Sequence, residues 1–129
     1  MSARAPLLEL TWAGFDAAVD VIAAQCSWRD RAGVHAASSD GVVLAMALAD
    51  RLGLNVLELP GPGMLLVDAV SSAALVEKAA AWSDVEAWVW VDCSSAGQWP
   101  SVMKAMGRAC LVFPWQRSCR REFVPGFDD

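Results

Sequence analysis

Apolar residues form two patterns along the chain: blocks at helical spacing and short, nearly continuous runs. The first block is "LTWAGFDAAVDVIAAQC", whose apolar positions recur every three or four residues at Trp12, Phe15, Val19, Ile22 and Cys26. This period is that of a helix with one buried face. Thr11 can accept a hydrogen bond from a first-turn amide, so the helix is predicted to begin there.

Five short apolar runs indicate strands, and helical blocks alternate with them. The strands are predicted at "GVHAA", "LNVLEL", "MLLVD", "VEAWVWVDC" and "ACLVF". A second helix is predicted from about Asp40, a favourable N-cap, to Leu52, with Gly53 as its C-terminal cap. A third is predicted from the turn after Asp68 to about residue 82, and a short helix is expected at residues 100 to 107.

Strands that alternate with helices, each strand nearly continuously apolar, are typical of a parallel sheet covered on both faces. The predicted fold class is therefore α/β, with a mostly parallel sheet of about five strands. A chain of 129 residues with 56% hydrophobic content has the size and composition of one domain. We expect this domain to span residues 1–117, and residues 118–129 to form a C-terminal tail.

Composition excludes several classes of function. The formal net charge of −5 disfavours binding to nucleic acid or to an anionic membrane. No apolar run is long enough for a membrane span or a signal peptide, so we expect a soluble cytoplasmic protein. Four cysteines without a C-x-x-C pair and a single histidine, His35, do not predict a metal site. His35 lies in an apolar strand, which favours a core histidine bonded to backbone over a general base.

The order of segments resembles the type I phosphoribosyltransferases, which use phosphoribosyl pyrophosphate and magnesium. "LTWAGFDAAVDVIAAQC" is similar to the N-terminal helix of that family, and "GVHAASSDGVVLAMALADRLGL" is similar to its strand, pyrophosphate loop and helix. "LLVDAVSSAALVEKA" stands where the ribose-phosphate loop belongs, and "CLVFPWQ" resembles a Phe-Pro-Trp-Glu ending of purine-type members. The likeness covers roughly residues 7 to 117 and implies the fold of that family.

The ribose-phosphate loop departs from the family pattern of two carboxylates followed by Asp-Thr-Gly. Asp68 stands at the first carboxylate position, but Ala69 stands at the second. Ser72, Ala73 and Ala74 replace the Asp, Thr and Gly. Backbone amides from Ser71 to Ala74 are still expected to bind a phosphate weakly, because amides at a helix N-terminus do not depend on side chains.

The pyrophosphate loop and the lid depart in the same direction. The loop has Ser39, Asp40 and Gly41, where an arginine and a glycine are common at the first two positions. A carboxylate at Asp40 would repel pyrophosphate. Where the family usually inserts a long mobile loop that excludes water, this chain has only "PGPG", residues 60–63.

These departures predict a catalytically inactive relative that binds a nucleotide or phosphate ligand, or a protein partner. Phe113 and Trp115 match a segment near the base pocket of the family, so Trp115 is the candidate for stacking on a base. The likeness also suggests an accessory protein of a phage or mobile element. Two alternatives stay open: an active transferase that uses Asp68 and Asp92 with magnesium, and a homodimer or larger homo-oligomer without a ligand. No cofactor is expected unless the transferase is active.

Overall fold

Three α-helices alternate with six strands in residues 7–93, 99–105 and 110–116, the part of the chain that the computed structural model describes. The helices are α1 (Trp12–Gln25), α2 (Val42–Leu52) and α3 (Ala73–Ala81). The strands are β1 (Leu7–Glu9), β2 (Val34–Ala36), β3 (Leu65–Val70), β4 (Glu86–Asp92), β5 (Ser101–Lys104) and β6 (Cys110–Val112). A 3-10 turn, Ser39–Gly41, precedes α2. No helix in these ranges is long and apolar enough to cross a membrane.

The main sheet has four parallel strands in the order β2, β3, β4, β5. A separate parallel pair joins β1 to β6. The segment after α2 adds one parallel bridge, between Val56 and Val34, on the outer side of β2. The predicted α/β class with a mostly parallel sheet is confirmed.

Helices cover the main sheet on both faces, as expected for buried parallel strands. The larger apolar core contains residues of α1 and α2 together with Trp88 and Trp90 of β4. The smaller core places Leu75 of α3 against Leu66 and Val89. Both β4 tryptophans are buried, so they are core residues rather than an exposed partner surface.

Local sequence signals set the helix ends. The Thr11 side chain accepts a hydrogen bond from the Gly14 amide at 3.0 Å and caps α1. Gly53 ends α2 in the left-handed conformation, with φ of 69°. A β-carbon is strained at such a φ, which explains why glycine occupies this position.

Two predicted elements were wrong because long-range contacts override local preference. "LNVLEL" forms one bridge instead of a strand, because the Leu57 carbonyl accepts a hydrogen bond from His35 Nδ1 at 2.7 Å and strand pairing stops there. Residues 101–104 of the expected helix at 100–107 are strand β5, which pairs with the otherwise open edge of β4. The helix predicted from about Asp40 to Leu52 is present as α2, but Asp40 is not its N-cap: Asp40 lies in the preceding 3-10 turn, and Gly41 is the N-cap.

Two further differences concern the ends of the domain. Strand β1 was not predicted, and "ACLVF" contributes β6, which pairs with β1 and not with the main sheet. Parallel pairing between residues about a hundred positions apart leaves no local sequence signal. The predicted tail at 118–129 lies outside the described residues.

Candidate ligand-binding site

The two candidate loops follow adjacent strands at the carboxyl edge of the sheet. One loop, residues 38–41, follows β2, and the other, residues 71–72, follows β3. After β2 the chain passes through α2 and reaches the outer side of β2, where Val56 pairs with Val34. It then returns to the other side of β2, where β3 pairs with it. The strand order therefore reverses between β2 and β3. Open α/β sheets bind ligands in the crevice at this point, which we call the switch-point crevice.

Asp68, near the end of β3, joins the two loops. Its side chain has 0% exposure, and its carboxylate accepts hydrogen bonds from both sides of the crevice. The Ser38 hydroxyl donates from 2.9 Å to each carboxylate oxygen. The Ser72 hydroxyl donates to Oδ2 and the Ala69 amide to Oδ1, both at 2.8 Å. The carboxylate therefore fixes the loops against each other and faces the protein interior.

Burial raises the pKa of the Asp68 carboxyl above its ordinary value, and this is the largest influence on it. The hydrogen bonds from Ser72, Ser38 and the Ala69 amide act in the opposite direction, because they stabilise the charged form. The negative charge of Asp40 adds to the increase in the pKa. The charge of half-buried Asp40 therefore acts on the buried Asp68 carboxyl.

Gly41 makes the close approach between the pyrophosphate-loop segment and β3. A β-carbon at this position would lie 2.9 Å from the Val67 carbonyl oxygen and 3.0 Å from the Asp68 Cα. Both are backbone atoms, so neither can move without shifting the strand. Gly41 is therefore required for packing, and it is buried rather than presented to a ligand.

The turn into α3 presents backbone amides at the opposite wall of the crevice. Ser72 is the N-cap, and its Oγ accepts from the Leu75 amide at 3.1 Å while donating to Asp68. Ala73 and Ala74 are the first helical residues, whose amides have no carbonyl partner within the helix. The Ala73 side chain is exposed and Ser71 is half-buried. Helical geometry at Ala74 means that no glycine is needed there.

Ser39 and Asp40 lie on the other wall, in the 3-10 turn. The Ser39 side chain is exposed and that of Asp40 is half-buried. Of the predicted site residues, the structure thus brings the 39–41 and 71–74 segments to neighbouring strand ends, with Asp68 bonded to Ser38 on one side and to Ser72 on the other. Asp92 is buried at the end of β4, with 1% exposure.

Comparisons with known proteins agree with this architecture. No family model and no curated protein matches the chain. Among solved structures, a hypothetical protein from Neisseria gonorrhoeae with bound ppGpp matches with a TM-score of 0.67 at 13% identity, over 97% of this chain and 99% of that one. The purine phosphoribosyltransferase from Pyrococcus horikoshii Ot3 matches with a TM-score of 0.65 at 16% identity, over 85% and 93% of the two chains.

A third structure is the orotate phosphoribosyltransferase from Aeropyrum pernix, with a TM-score of 0.51, 18% identity and 70% of each chain covered. The chain has a type I phosphoribosyltransferase-like fold. This confirms the resemblance that the order of segments indicated. At identities of this size the likeness concerns the fold, so the chemistry of the site depends on the residues that this chain carries.

Magnesium binding, which the family uses, does not fit the carboxylates of this phosphoribosyltransferase-like protein. Magnesium requires carboxylate oxygens that can enter its coordination sphere. The Asp68 oxygens are buried and engaged by Ser38, Ser72 and the Ala69 amide, and Ala69 supplies no second carboxylate. Within the described ranges, no group of three or more His, Cys, Asp or Glu side chains is placed to hold a metal ion.

Trp115 and Phe113 lie in an aromatic cluster rather than in the two loops. Their rings stack with centroids 5.1 Å apart and an interplanar angle of 6°. Trp90, Phe15 and Trp12 surround Trp115, with centroids 6.0 to 6.3 Å away. One face of the Trp115 ring is thus already covered by Phe113, so a nucleobase would have to use the other face.

Sequence reasoning missed Lys78, whose ammonium contacts the strand next to the crevice. Its Nζ lies 3.0 Å from His35 Nε2 and 2.9 Å from the Ala37 carbonyl oxygen. His35 is a core histidine bonded to backbone, as expected, but it also connects Lys78 to Leu57. The signal in the sequence was weak, because Lys78 is the one basic residue of an alanine-rich helix. Its partners come only from the packing of α3 on the sheet.

Proposed function

We propose that this phosphoribosyltransferase-like protein is catalytically inactive and binds a phosphorylated nucleotide in the switch-point crevice without magnesium. The observation that carries the proposal is the state of Asp68. Its carboxylate is buried and bonded to both loops, which leaves it unsuited to bind ribose hydroxyls and well suited to brace the crevice. The bond from Ser72 to Asp68 holds the first amides of α3 in place before a ligand arrives. Such preorganisation lowers the free energy that is lost in ordering the loop on binding.

The phosphate would bind at the turn into α3. The amides of Ala73 and Ala74 point out of the helix start, where the helix dipole favours an anion. The Ser71 hydroxyl is close in sequence and is half-exposed, so it can add one hydrogen bond. Further support comes from the fold neighbour with bound ppGpp, which matches this chain over almost the full length of both proteins.

Loss of transferase activity is supported by the residues that would do the chemistry. Asp40 adds negative charge to the wall on which pyrophosphate would bind, and Ala69 provides no second carboxylate. The connection at residues 60–63 is too short to cover a reacting centre, so water would reach any oxocarbenium-like transition state. Each loss removes a different requirement of the reaction.

Binding is tested by thermal denaturation with ppGpp, GMP and guanosine, with and without magnesium. We expect ppGpp and GMP to raise the melting temperature and guanosine to have no effect. A ligand at 100 times its Kd stabilises the fold by about 2.7 kcal/mol. Ala73→Asp should abolish the increase, because its carboxylate occupies the phosphate position. Ala13→Asp is the matched control, because Ala13 is also exposed in the first turn of a helix and the charge change is the same.

The same preparation tests inactivity. We expect no pyrophosphate release from phosphoribosyl pyrophosphate with a panel of purine and pyrimidine bases in the presence of magnesium. Magnesium-dependent release that is lost in Asp68→Asn would contradict the inactive assignment. The absence of stabilisation by both ppGpp and GMP would contradict the binding assignment.

A further inference from the structure

A cavity lies on the outer edge of β2, on the opposite side of that strand from β3, and Ser38 and Ser39 of the loop after β2 also line it. This outer-edge cleft has a volume of about 420 Å³, within the range of small-molecule sites. The residues that line it and matter most here are His35, Ala36, Val42, Val56, Glu58 and Lys78. It combines one cation, one open strand edge and an apolar wall.

The cleft opens where strand pairing on the outer side of β2 ends. The Val34 amide donates to the Asn55 carbonyl at 2.9 Å, and the Leu57 amide donates to the Val34 carbonyl at 2.8 Å. A continued parallel ladder would next join the Ala36 amide to the Leu57 carbonyl. That carbonyl instead accepts from His35 Nδ1, so the chain turns away from β2.

The backbone of Ala36 therefore faces the cleft. Alternate residues of a strand direct their amides to opposite edges, and the Ala37 amide donates inward, to the Val67 carbonyl of β3 at 2.8 Å. The Ala36 amide must then point outward, toward the cleft that Ala36 lines. An oxygen atom of a ligand could accept from it.

The cation of the cleft is Lys78, and both of its contacts are with neutral groups. Because a carbonyl can only accept, the bond to Leu57 places the proton of His35 on Nδ1 and leaves the Nε2 lone pair to accept from Lys78. The second acceptor is the Ala37 carbonyl. In the described ranges, no carboxylate lies within ion-pair distance of Lys78. An ammonium has three N–H donors, so the third is available to a ligand.

The remaining walls limit the kind of ligand. Val42 and Val56 are apolar and are 44% and 46% exposed, so they offer contact to a hydrocarbon body. Glu58 also lines the cleft, and its negative charge disfavours a multiply charged anion such as a pyrophosphate. We propose that the outer-edge cleft binds a small organic carboxylate, with its oxygens on Lys78 and the Ala36 amide and its apolar body against Val42 and Val56.

Hexanoate is a suitable probe, with hexanamide as its neutral isostere. In a titration followed by amide NMR, we expect hexanoate to shift the resonances of Ala36 and Val56, and to bind at least about tenfold more tightly than hexanamide. Lys78→Met should weaken hexanoate binding by at least about tenfold. Lys104→Met is the matched control, since Lys104 is exposed on β5 and the change in charge is the same, and it should leave binding unchanged.

If Lys78→Met does not fold, Val42→Glu tests the same cleft while Lys78 stays in place. A carboxylate at this first position of α2 is compatible with the helix dipole, yet it should repel hexanoate from the cleft. Equal binding of hexanoate and hexanamide, or unchanged hexanoate binding in both Lys78→Met and Val42→Glu, would overturn the proposal. Ala73→Asp should leave hexanoate binding intact, so failure of the nucleotide site and failure of this cleft are distinguishable.

Discussion

Ser38, after β2, donates its hydroxyl to the Asp68 carboxylate near the end of β3, with Oγ 2.9 Å from both oxygens. This bond crosses the point where the strand order reverses, and it links residues thirty positions apart in the sequence. Asp68 also accepts from Ser72, so one buried carboxylate connects both walls of the switch-point crevice. The geometry of the crevice therefore depends on a group that does not reach its surface.

Removing the Ser38 hydroxyl should destabilise the protein. Ser38→Ala takes one donor from a buried carboxylate, and a hydrogen bond to a charged group contributes about 1.5–3 kcal/mol. We expect the free energy of unfolding, measured by urea denaturation, to fall by about that amount. Ser71→Ala is the control, because the Asp68 carboxylate accepts from Ser38, Ser72 and the Ala69 amide and not from Ser71, and it should change the free energy by less than about 0.5 kcal/mol. Equal effects of the two variants would contradict the role of Ser38.

Asp68→Asn should change how stability depends on pH. The pKa of Asp68 is raised in the folded protein above its ordinary value of 3.8, so the folded state binds the proton more tightly than the unfolded chain. This contribution to stability is full below 3.8 and is lost as pH rises through the folded pKa. Asparagine does not titrate. The free energy of unfolding of wild type minus that of Asp68→Asn should therefore fall as pH rises, and then level off.

Urea denaturation of both proteins in steps from pH about 3.5 to 7 provides the measurement, since this range begins below the ordinary carboxyl pKa. Asp40→Asn gives an internal check, because the Asp40 charge contributes to the increase in the Asp68 pKa. When both proteins also carry Asp40→Asn, the difference in their free energy of unfolding should stop falling at a lower pH. A difference that increases with pH would mean that the folded protein lowers the pKa of Asp68.

Gly41→Ala should destabilise the contact between the 3-10 turn and β3. The added β-carbon would lie 2.9 Å from the Val67 carbonyl oxygen, and relieving this clash requires a shift of backbone. Overpacking of this kind costs about 1–3 kcal/mol. Gly61→Ala is the matched control, since nothing lies within 4 Å of its β-carbon position. A urea midpoint for Gly41→Ala equal to that of Gly61→Ala would show that the turn can move away from β3.

Much of the fold could be predicted because the relevant signals are local. Thr11 and Gly53 act on their own helices, and the apolar run of β4 is recognisable without its neighbours. The strand expected at residues 54–59 failed for a different reason. Its pairing ends at a bond between the Leu57 carbonyl and His35, which is decided by how the ring of His35 is placed on β2.

The neighbourhood of the two candidate loops follows from the order of segments, but the environment of Asp68 does not. The two loops follow strands β2 and β3, which are adjacent in the sheet, and Asp68 bonds to Ser38 before one loop and to Ser72 in the other. That Asp68 is buried depends on Ser38 and on the close approach of Gly41, neither of which is visible from the sequence around Asp68. Lys78 meets His35 from forty-three positions away, so its role required the packing of α3 on the sheet.

Trp115→Ala distinguishes a structural role for this ring from the base-stacking role that the family resemblance implied. The ring stacks on Phe113 at 5.1 Å and also contacts Trp90, but it is only half-buried. Its loss should therefore reduce the free energy of unfolding by about 2 kcal/mol, less than the roughly 3–5 kcal/mol of a fully buried tryptophan. Trp82→Ala is the control: Trp82 is 40% exposed, and its loss should cost less than about 0.5 kcal/mol. Urea denaturation measures both. If Trp115→Ala unfolds at the wild-type midpoint while ppGpp binds more weakly, the ring acts on the ligand, and the aromatic cluster does not depend on it.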